Sequence, residues 1–225
     1  MATAIDATLP KPQPFPRRSR RKRETRQRII DAAEALFRRV GFTKATMQVI
    51  ADKADVHVTT LFTHFKSKRE LSDAISERVL GALATAIAEN RGKRPFFDFM
   101  RRLTDNAVRQ HLRDAKHNLA MGRLFGADED FTASWMTYER RQIEMLAGYI
   151  AEDFGLDIAS DYRPTLIANM IVGGNIMVHQ RWVDSDAALD LLGESLAVLG
   201  AVETLVERGL APPGEAWTPT PPGAN

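Results

Sequence analysis

The residues of this 225-residue chain best suited to chemistry are a short run of hydroxyls, methyls and one imidazole, with no paired acids or thiols among them. Val58, Thr59 and Thr63 open a segment short enough to be a helix that lies in the DNA major groove by its amino-terminal end. There the helix dipole and free N–H groups would face phosphates. The three side chains would meet base edges through methyl contact with thymine and hydroxyl hydrogen bonds. Thr46, Thr60, Phe62, His64 and Lys68 surround them and are suited to clamping the sugar-phosphate backbone.

Other chemistries find no support. Cysteine is absent, which excludes thiol nucleophiles, cysteine-ligated zinc and disulfides. The histidines are His57, His64, His111, His117 and His179, and no two stand three or four apart as metal ligands on one helix would. Asp114 and His117 read as a solvated surface pair. Asp128-Glu129-Asp130 and Asp184-Ser185-Asp186 read as acidic helix starts and not as calcium loops. No HExxH, Walker A, GxGxxG or GxSxG pattern occurs. No catalytic residue, metal site or cofactor is therefore assigned.

The elements that must position these groups are helical. Nine of the eleven prolines fall at the two ends, and only Pro95 and Pro164 lie between, each beside a helix start. Ile29, Ala33, Leu36, Phe37 and Val40 share one face of a helix ending at Gly41. Thr46 is an N-cap for a short helix with Met47, Ile50, Ala51 and Ala54 inward. After Asp55-Val56-His57, a third helix runs from Val58 to Phe65. A long helix then carries Leu71, Ile75, Val79, Leu83 and Ile87 at i+4 spacing. Further helices are expected near Phe96–Arg113, His117–Phe125, Phe131–Phe154, Thr165–Val183 and Ala187–Arg208. The spacing predicts an all-α fold of about nine helices: an N-terminal three-helix helix-turn-helix domain followed by a helical C-terminal body.

Charge divides the chain in the same place. Residues 1–70 carry 16 Lys and Arg against 7 Asp and Glu, whereas residues 71–225 carry 15 against 22. One end suits a polyanion and the other does not. Four segments follow: a disordered basic arm at 1–22, the helix-turn-helix at 23–70, the body at 71–210 and a disordered Pro-rich tail at 211–225. The arm cluster Arg17, Arg18, Arg20, Arg21, Lys22 and Arg23 reads either as a solubilising tail or, as favoured by its neighbour, as a phosphate-contacting arm. The most apolar stretch, Leu166 to Val178, is too short to span a bilayer, and the start lacks a signal-peptide core. A soluble cytoplasmic protein with no membrane partner is expected.

The run RQRIIDAAEALFRRVGFTKATMQVIADKADVHVTTLFTHFKSKREL resembles the DNA-binding domain of the TetR (tetracycline repressor) family from about Glu24 to Arg78. The resemblance rests on Ala33, Leu36 and Phe37 before Gly41, then on Thr46 and Ile50-Ala51. Val56, Thr60-Leu61-Phe62, His64-Phe65, Ser67-Lys68 and Leu71 complete it. It implies a homodimer that binds double-stranded operator DNA, most often a repressor released when a small-molecule effector enters the carboxy-terminal body. The family often has a small residue at Asp55 and Thr59, Ser at His57, and Tyr at Phe62.

In the body, Met100, Met121, Phe125, Trp135, Tyr138 and Met145 read as core. Some of them alternatively line an effector pocket, with His117, Asn175 and His179 as polar anchors. Gly193, Ala197, Gly200, Ala201 and Thr204 form a stripe of small residues bordered by Leu192, Leu196 and Leu199. This stripe packs either within the chain or, as the resemblance implies, across a dimer interface comprising Gly193, Leu196, Ala197, Gly200 and Thr204. The alternative to a ligand-responsive regulator is a helical enzyme or scaffold whose basic end binds nucleic acid nonspecifically.

Overall fold

The computed structural model describes residues 16–209, which form α1 (Pro16–Val40), α2 (Met47–Lys53), α3 (Val58–His64), α4 (Lys68–Asn90), α5 (Phe96–Leu112), α6 (Ala115–Gly122), α7 (Glu129–Asp153), α8 (Arg163–Asp184) and α9 (Leu191–Gly209). No strand occurs among the described residues. The expected Pro-rich tail and the first part of the basic arm lie outside them. The rest of the arm is not disordered as expected: α1 begins at Pro16, so 16–22 continue its helix. Proline suits a first helical turn because its missing N–H has no partner there.

The amino-terminal core gathers Ile29, Ala33, Leu36 and Phe37 of α1 with Phe42, Ile50, Ala51, Leu61 and Phe65. Val40, read from spacing as part of the same face, is exposed at the helix end. Gly41 terminates α1 with φ +86°, the left-handed conformation that a glycine adopts without a Cβ penalty. Leu71 and Ala74 of α4 belong to this core, while Leu83 and Ile87 belong to the body core. The expected boundary at residue 70 therefore falls within a continuous helix that both units share. Val79, also in the i+4 series, is exposed. At 3.6 residues per turn each i+4 step drifts about 40°, so such a row leaves the buried face by mid-helix.

The body core joins Phe96, Phe99 and Met100 of α5 to Leu146, Tyr149 and Ile150 of α7, Ile167 and Ile171 of α8, and Leu199 and Val202 of α9. Pro95 offers no capping side chain, and the Asp153 carboxylate of α7 accepts the Phe96 N–H at 2.9 Å instead. Asn90 donates to the Tyr149 hydroxyl at 2.6 Å, which satisfies a buried amide. Two glycines admit close helix approach. A Cβ on Gly174 of α8 would stand 2.5 Å from Val198 of α9, and one on Gly122 of α6 would stand 2.6 Å from Val183 of α8.

Two expected helix starts move. Asp128 caps α7, its Oδ1 accepting from Phe131 N at 3.0 Å, as the acidic cluster suggested. Asp184-Ser185-Asp186 instead ends α8. Asp186 and Ala187 then take positive φ (53° and 68°), so the last helix cannot begin at Ala187. It begins after Asp190, whose Oδ1 accepts from Gly193 N at 3.0 Å. A Cβ on Gly193 would lie 2.4 Å from Asp190 Oδ2, so a glycine is required beside this cap, and Gly193 itself is exposed in the single chain. The remaining stripe stays uncovered by the chain: Ala197, Ala201 and Thr204 are exposed, and Gly200 faces open space.

Candidate nucleic-acid interface and ligand chamber

The α2–α3 unit is held by local caps. Thr46 Oγ1 accepts from Val49 N at 3.3 Å, and Ser67 Oγ accepts from Glu70 N at 3.2 Å. Asp55 makes the tight turn with φ +52°, which accounts for the small residue frequent there in the resembled family. His57 caps α3 in place of a serine: its Nδ1 accepts from Thr59 N at 3.4 Å and lies 2.8 Å from Thr59 Oγ1. In the tautomer whose Nδ1 accepts the backbone N–H, the Thr59 hydroxyl donates to it. Thr63 Oγ1 donates to Thr59 O at 2.9 Å. Both hydroxyl protons are engaged, and the oxygens of Thr59 and Thr63 present acceptor lone pairs outward. Such acceptors match the exocyclic amino groups of adenine and cytosine.

Thr59, Thr60, Phe62 and Thr63 are exposed on α3, opposite the fully buried Leu61. Val58, expected to face bases with Thr59 and Thr63, is less exposed than they are. Three residues before Leu61 it shares that residue's side, and it is half-buried against the amino-terminal core. Lys68 also has a structural task. Its Nζ donates to the carbonyls of Phe42 at 3.0 Å and Thr43 at 3.3 Å and sits 4.7 Å from the Phe42 ring centroid. An ammonium has three donors, so one remains for phosphate.

The amino-terminal half of α1 presents Arg18, Arg20, Arg21, Lys22, Arg23, Arg26 and Arg28 to solvent. It runs beside the end of α3, where the Arg26 guanidinium lies 4.7 Å from the Phe65 ring centroid. Burial, followed by the positive charges of Lys22 and Arg26, lowers the His64 pKa. His64 is thus a neutral neighbour within a cationic surface.

The body holds two adjoining chambers of about 230 and 220 Å³ that share Met100, His111, Gln142, Asn175 and His179. Trp135 and Tyr138 wall one, and Thr104, Leu191 and Ser195 wall the other. Of the expected pocket residues, Trp135, Tyr138, Asn175 and His179 meet here, joined by Met100. Phe125 lines only a small adjoining crevice, and Met121 packs against the amino-terminal core. Met145 packs against the body core. His117 is not a pocket anchor: its Nδ1 lies 3.1 Å from Arg38 O, while Arg38 also pairs with Asp114 at 3.5 Å, tying α6 to the end of α1.

The residue that sequence reasoning missed is His111, whose Nε2 stands 3.2 Å from Nε2 of His179. Desolvation, then the nearby His179, drives the His111 pKa down to about 4, and desolvation lowers that of His179. Both rings are neutral near pH 7, so across this contact one Nε2–H donates and the other Nε2 accepts. The two residues lie 68 positions apart on α5 and α8, and no spacing within one helix reports such a pair. No cluster of three or more metal-ligating side chains occurs among the described residues.

A basic helix-turn-helix mounted on an all-helical body with a cleft between its helices defines a DNA-binding regulator. The family of bacterial regulatory proteins described as tetR matches residues 29–75. Over 200 residues the chain is 30% identical to the HTH-type transcriptional regulator TcmR of Streptomyces glaucescens, covering 84% of this chain and 85% of that protein. It is 33% identical over 113 residues to the HTH-type transcriptional repressor KstR of Rhodococcus jostii, covering 48% and 50% of the two chains. The fold matches Thermus thermophilus FadR, a TetR-family repressor solved with lauroyl-CoA, at a TM-score of 0.62 and 21% identity over 87% of this chain and 99% of that one. The chain belongs to the TetR family of transcriptional regulators.

Proposed function

We propose that the chain is a homodimeric repressor that binds a palindromic operator and leaves it when a small molecule occupies the chamber between α5, α7 and α8. The observation that carries this reading is a continuous file of rings joining the chamber to the DNA-binding unit. His179 stacks on Trp135 at 6.2 Å, Trp135 lies 6.3 Å from Phe131, and Phe131 lies 5.7 Å from Phe42, on which Lys68 is seated. Lys68 opens α4, four residues after His64 closes α3. Displacement of Trp135 by a ligand therefore acts on the support of the recognition helix through packed side chains, which move between discrete arrangements.

The dimer reading is supported by α8 and α9, which leave Leu166, Met177 and Leu205 exposed beside Ala197, Gly200, Ala201 and Thr204. A helix pair with a second apolar face suits a twofold four-helix contact. Such a dimer places two α3 helices about 34–36 Å apart on successive major grooves. No helix among the described residues is long and apolar enough to cross a membrane, and a DNA target suits a cytoplasmic protein.

Selection of bound sequences from random duplex DNA, followed by footprinting, tests this reading. The expected result is a symmetric site with half-sites one helical turn apart. Binding that is merely salt-sensitive and blind to sequence would assign the basic end to nonspecific contact.

A further inference from the structure

The chemical character of the chamber narrows what it can hold. No Asp, Glu, Lys or Arg lines either compartment among the described residues. An ionic ligand would surrender its hydration with no counter-charge to replace it. The two imidazoles do not supply one, because burial keeps both in the neutral form. Tyr138 is likewise held neutral, its pKa raised by burial.

The polar groups that are present make a specific demand. Asn175 lines both compartments, and its Oδ1 is buried with no hydrogen-bond partner among the described residues. A buried acceptor without a donor is costly, and a ligand donor or a displaceable water relieves it. Around that point the walls differ. Trp135 and Tyr138, with rings 6.1 Å apart and planes 55° from parallel, form an aromatic corner in one compartment. Met100, a polarisable side chain suited to ring contacts, lies between the two. Side by side the compartments reach the lower part of the roughly 300–1,000 Å³ range of small-ligand sites.

We propose that the chamber binds an uncharged aromatic molecule bearing a hydroxyl or equivalent donor, with its ring against Trp135 and Tyr138 and its donor on Asn175 Oδ1. The proposal rests on the reading of this chamber as the effector site and adds the ligand class. A phenolic hydroxyl fits both requirements: it donates to Asn175, and its oxygen remains free to accept from Gln142 or from whichever imidazole carries an outward N–H.

Displacement of the fluorescent probe N-phenyl-1-naphthylamine from the full-length protein at neutral pH tests it. Naphthalene, 2-naphthol and 2-naphthoate serve as competitors of one ring system with no donor, a neutral donor and an anionic group. The expected order places 2-naphthol first, with 2-naphthoate at least about tenfold weaker, as unpaired burial of charge requires. Asn175→Leu should erase the advantage of 2-naphthol over naphthalene while naphthalene itself still binds, and Ile176→Trp or Gln142→Trp, which fill the compartment walled by Trp135 and Tyr138, should block every competitor. The wild-type comparison needs no variant. If 2-naphthoate binds as well as 2-naphthol, the ligand class is overturned and the chamber remains the site. If none of the probes binds, or both filling variants bind them unchanged, the chamber reading falls and the ligand class falls with it.

Discussion

Trp135 stacks on His179 with ring centroids 6.2 Å apart and planes 28° from parallel, so one side chain of α7 touches both the chamber and the file of rings that leads to Phe42. If this file transmits occupancy, Phe131→Leu should leave chamber binding within about twofold of wild type and operator affinity nearly intact. Operator release by a saturating ligand should be weakened by roughly 1–2 kcal/mol of coupling. Titrating operator DNA with and without ligand measures that coupling. Unchanged release would remove the file from the mechanism.

On the recognition helix, buried and exposed residues should separate by phenotype. Thr59→Val and Thr63→Val remove outward acceptors and should flatten the preference at one base pair each, by about 1–3 kcal/mol. Val58→Ala should instead lower stability by about 1 kcal/mol and leave the preference profile unchanged. Phe62→Tyr places a hydroxyl on an exposed ring and should tighten binding to every sequence alike, by about 1 kcal/mol. An affinity panel over single-base operator variants, paired with thermal melts, resolves these outcomes.

Asp55 occupies the left-handed region at the turn between α2 and α3. Asp55→Gly should be neutral or stabilising by up to about 1 kcal/mol, whereas Asp55→Val should cost about 1–2 kcal/mol. Urea denaturation of the two variants checks the sign. A stable Asp55→Val would mean that the turn relaxes out of this conformation.

Four histidines should make the fold sensitive to acid. His64, His111, His117 and His179 all have pKa values lowered, in each case chiefly by burial, and His111 reaches about 4. The unfolded chain then binds protons more readily than the folded one. Stability is complete above the ordinary histidine pKa of 6.5, declines as pH falls below it, and His111's share is exhausted near 4. That share is at most about 3 kcal/mol. Melting temperature measured from pH 7 to 4 should fall less steeply in His111→Phe, and identical slopes would relieve His111 of this role.

The dimer face is tested where the single chain leaves room. Gly200→Trp and Leu205→Arg alter an open glycine and an exposed leucine, so both variants should fold. Each should yield a monomer by light scattering and lose affinity for a palindromic site while keeping weak affinity for a half-site. A dimer of normal stability would move the interface elsewhere.

How much of this was legible in the sequence depends on how far apart the interacting groups lie. Gly41 as a helix end, Thr46 as a cap, the helix-turn-helix spacing and the charge of residues 1–70 are all consequences of residues within a few turns of one another. Caps, periodicity and left-handed turns are local physics, and the sequence determines them directly. Even there, a flat i+4 reading misplaces Val79, and the half-burial of Val58 is set by Leu61 three residues on. The chamber is of another kind. It is a volume that no side chain fills, bounded by helices whose approach depends on Gly174 under Val198 and Gly122 under Val183. Its imidazole pair joins positions 111 and 179, Lys68 is drawn to carbonyls 25 and 26 residues away, and His117 to one 79 residues away. The residue types on each helix supplied the candidates. Only the crossing of the helices decided which became cavity wall, which became a strap between the two units and which remained core, because those roles depend on distances between elements that no spacing along the chain encodes.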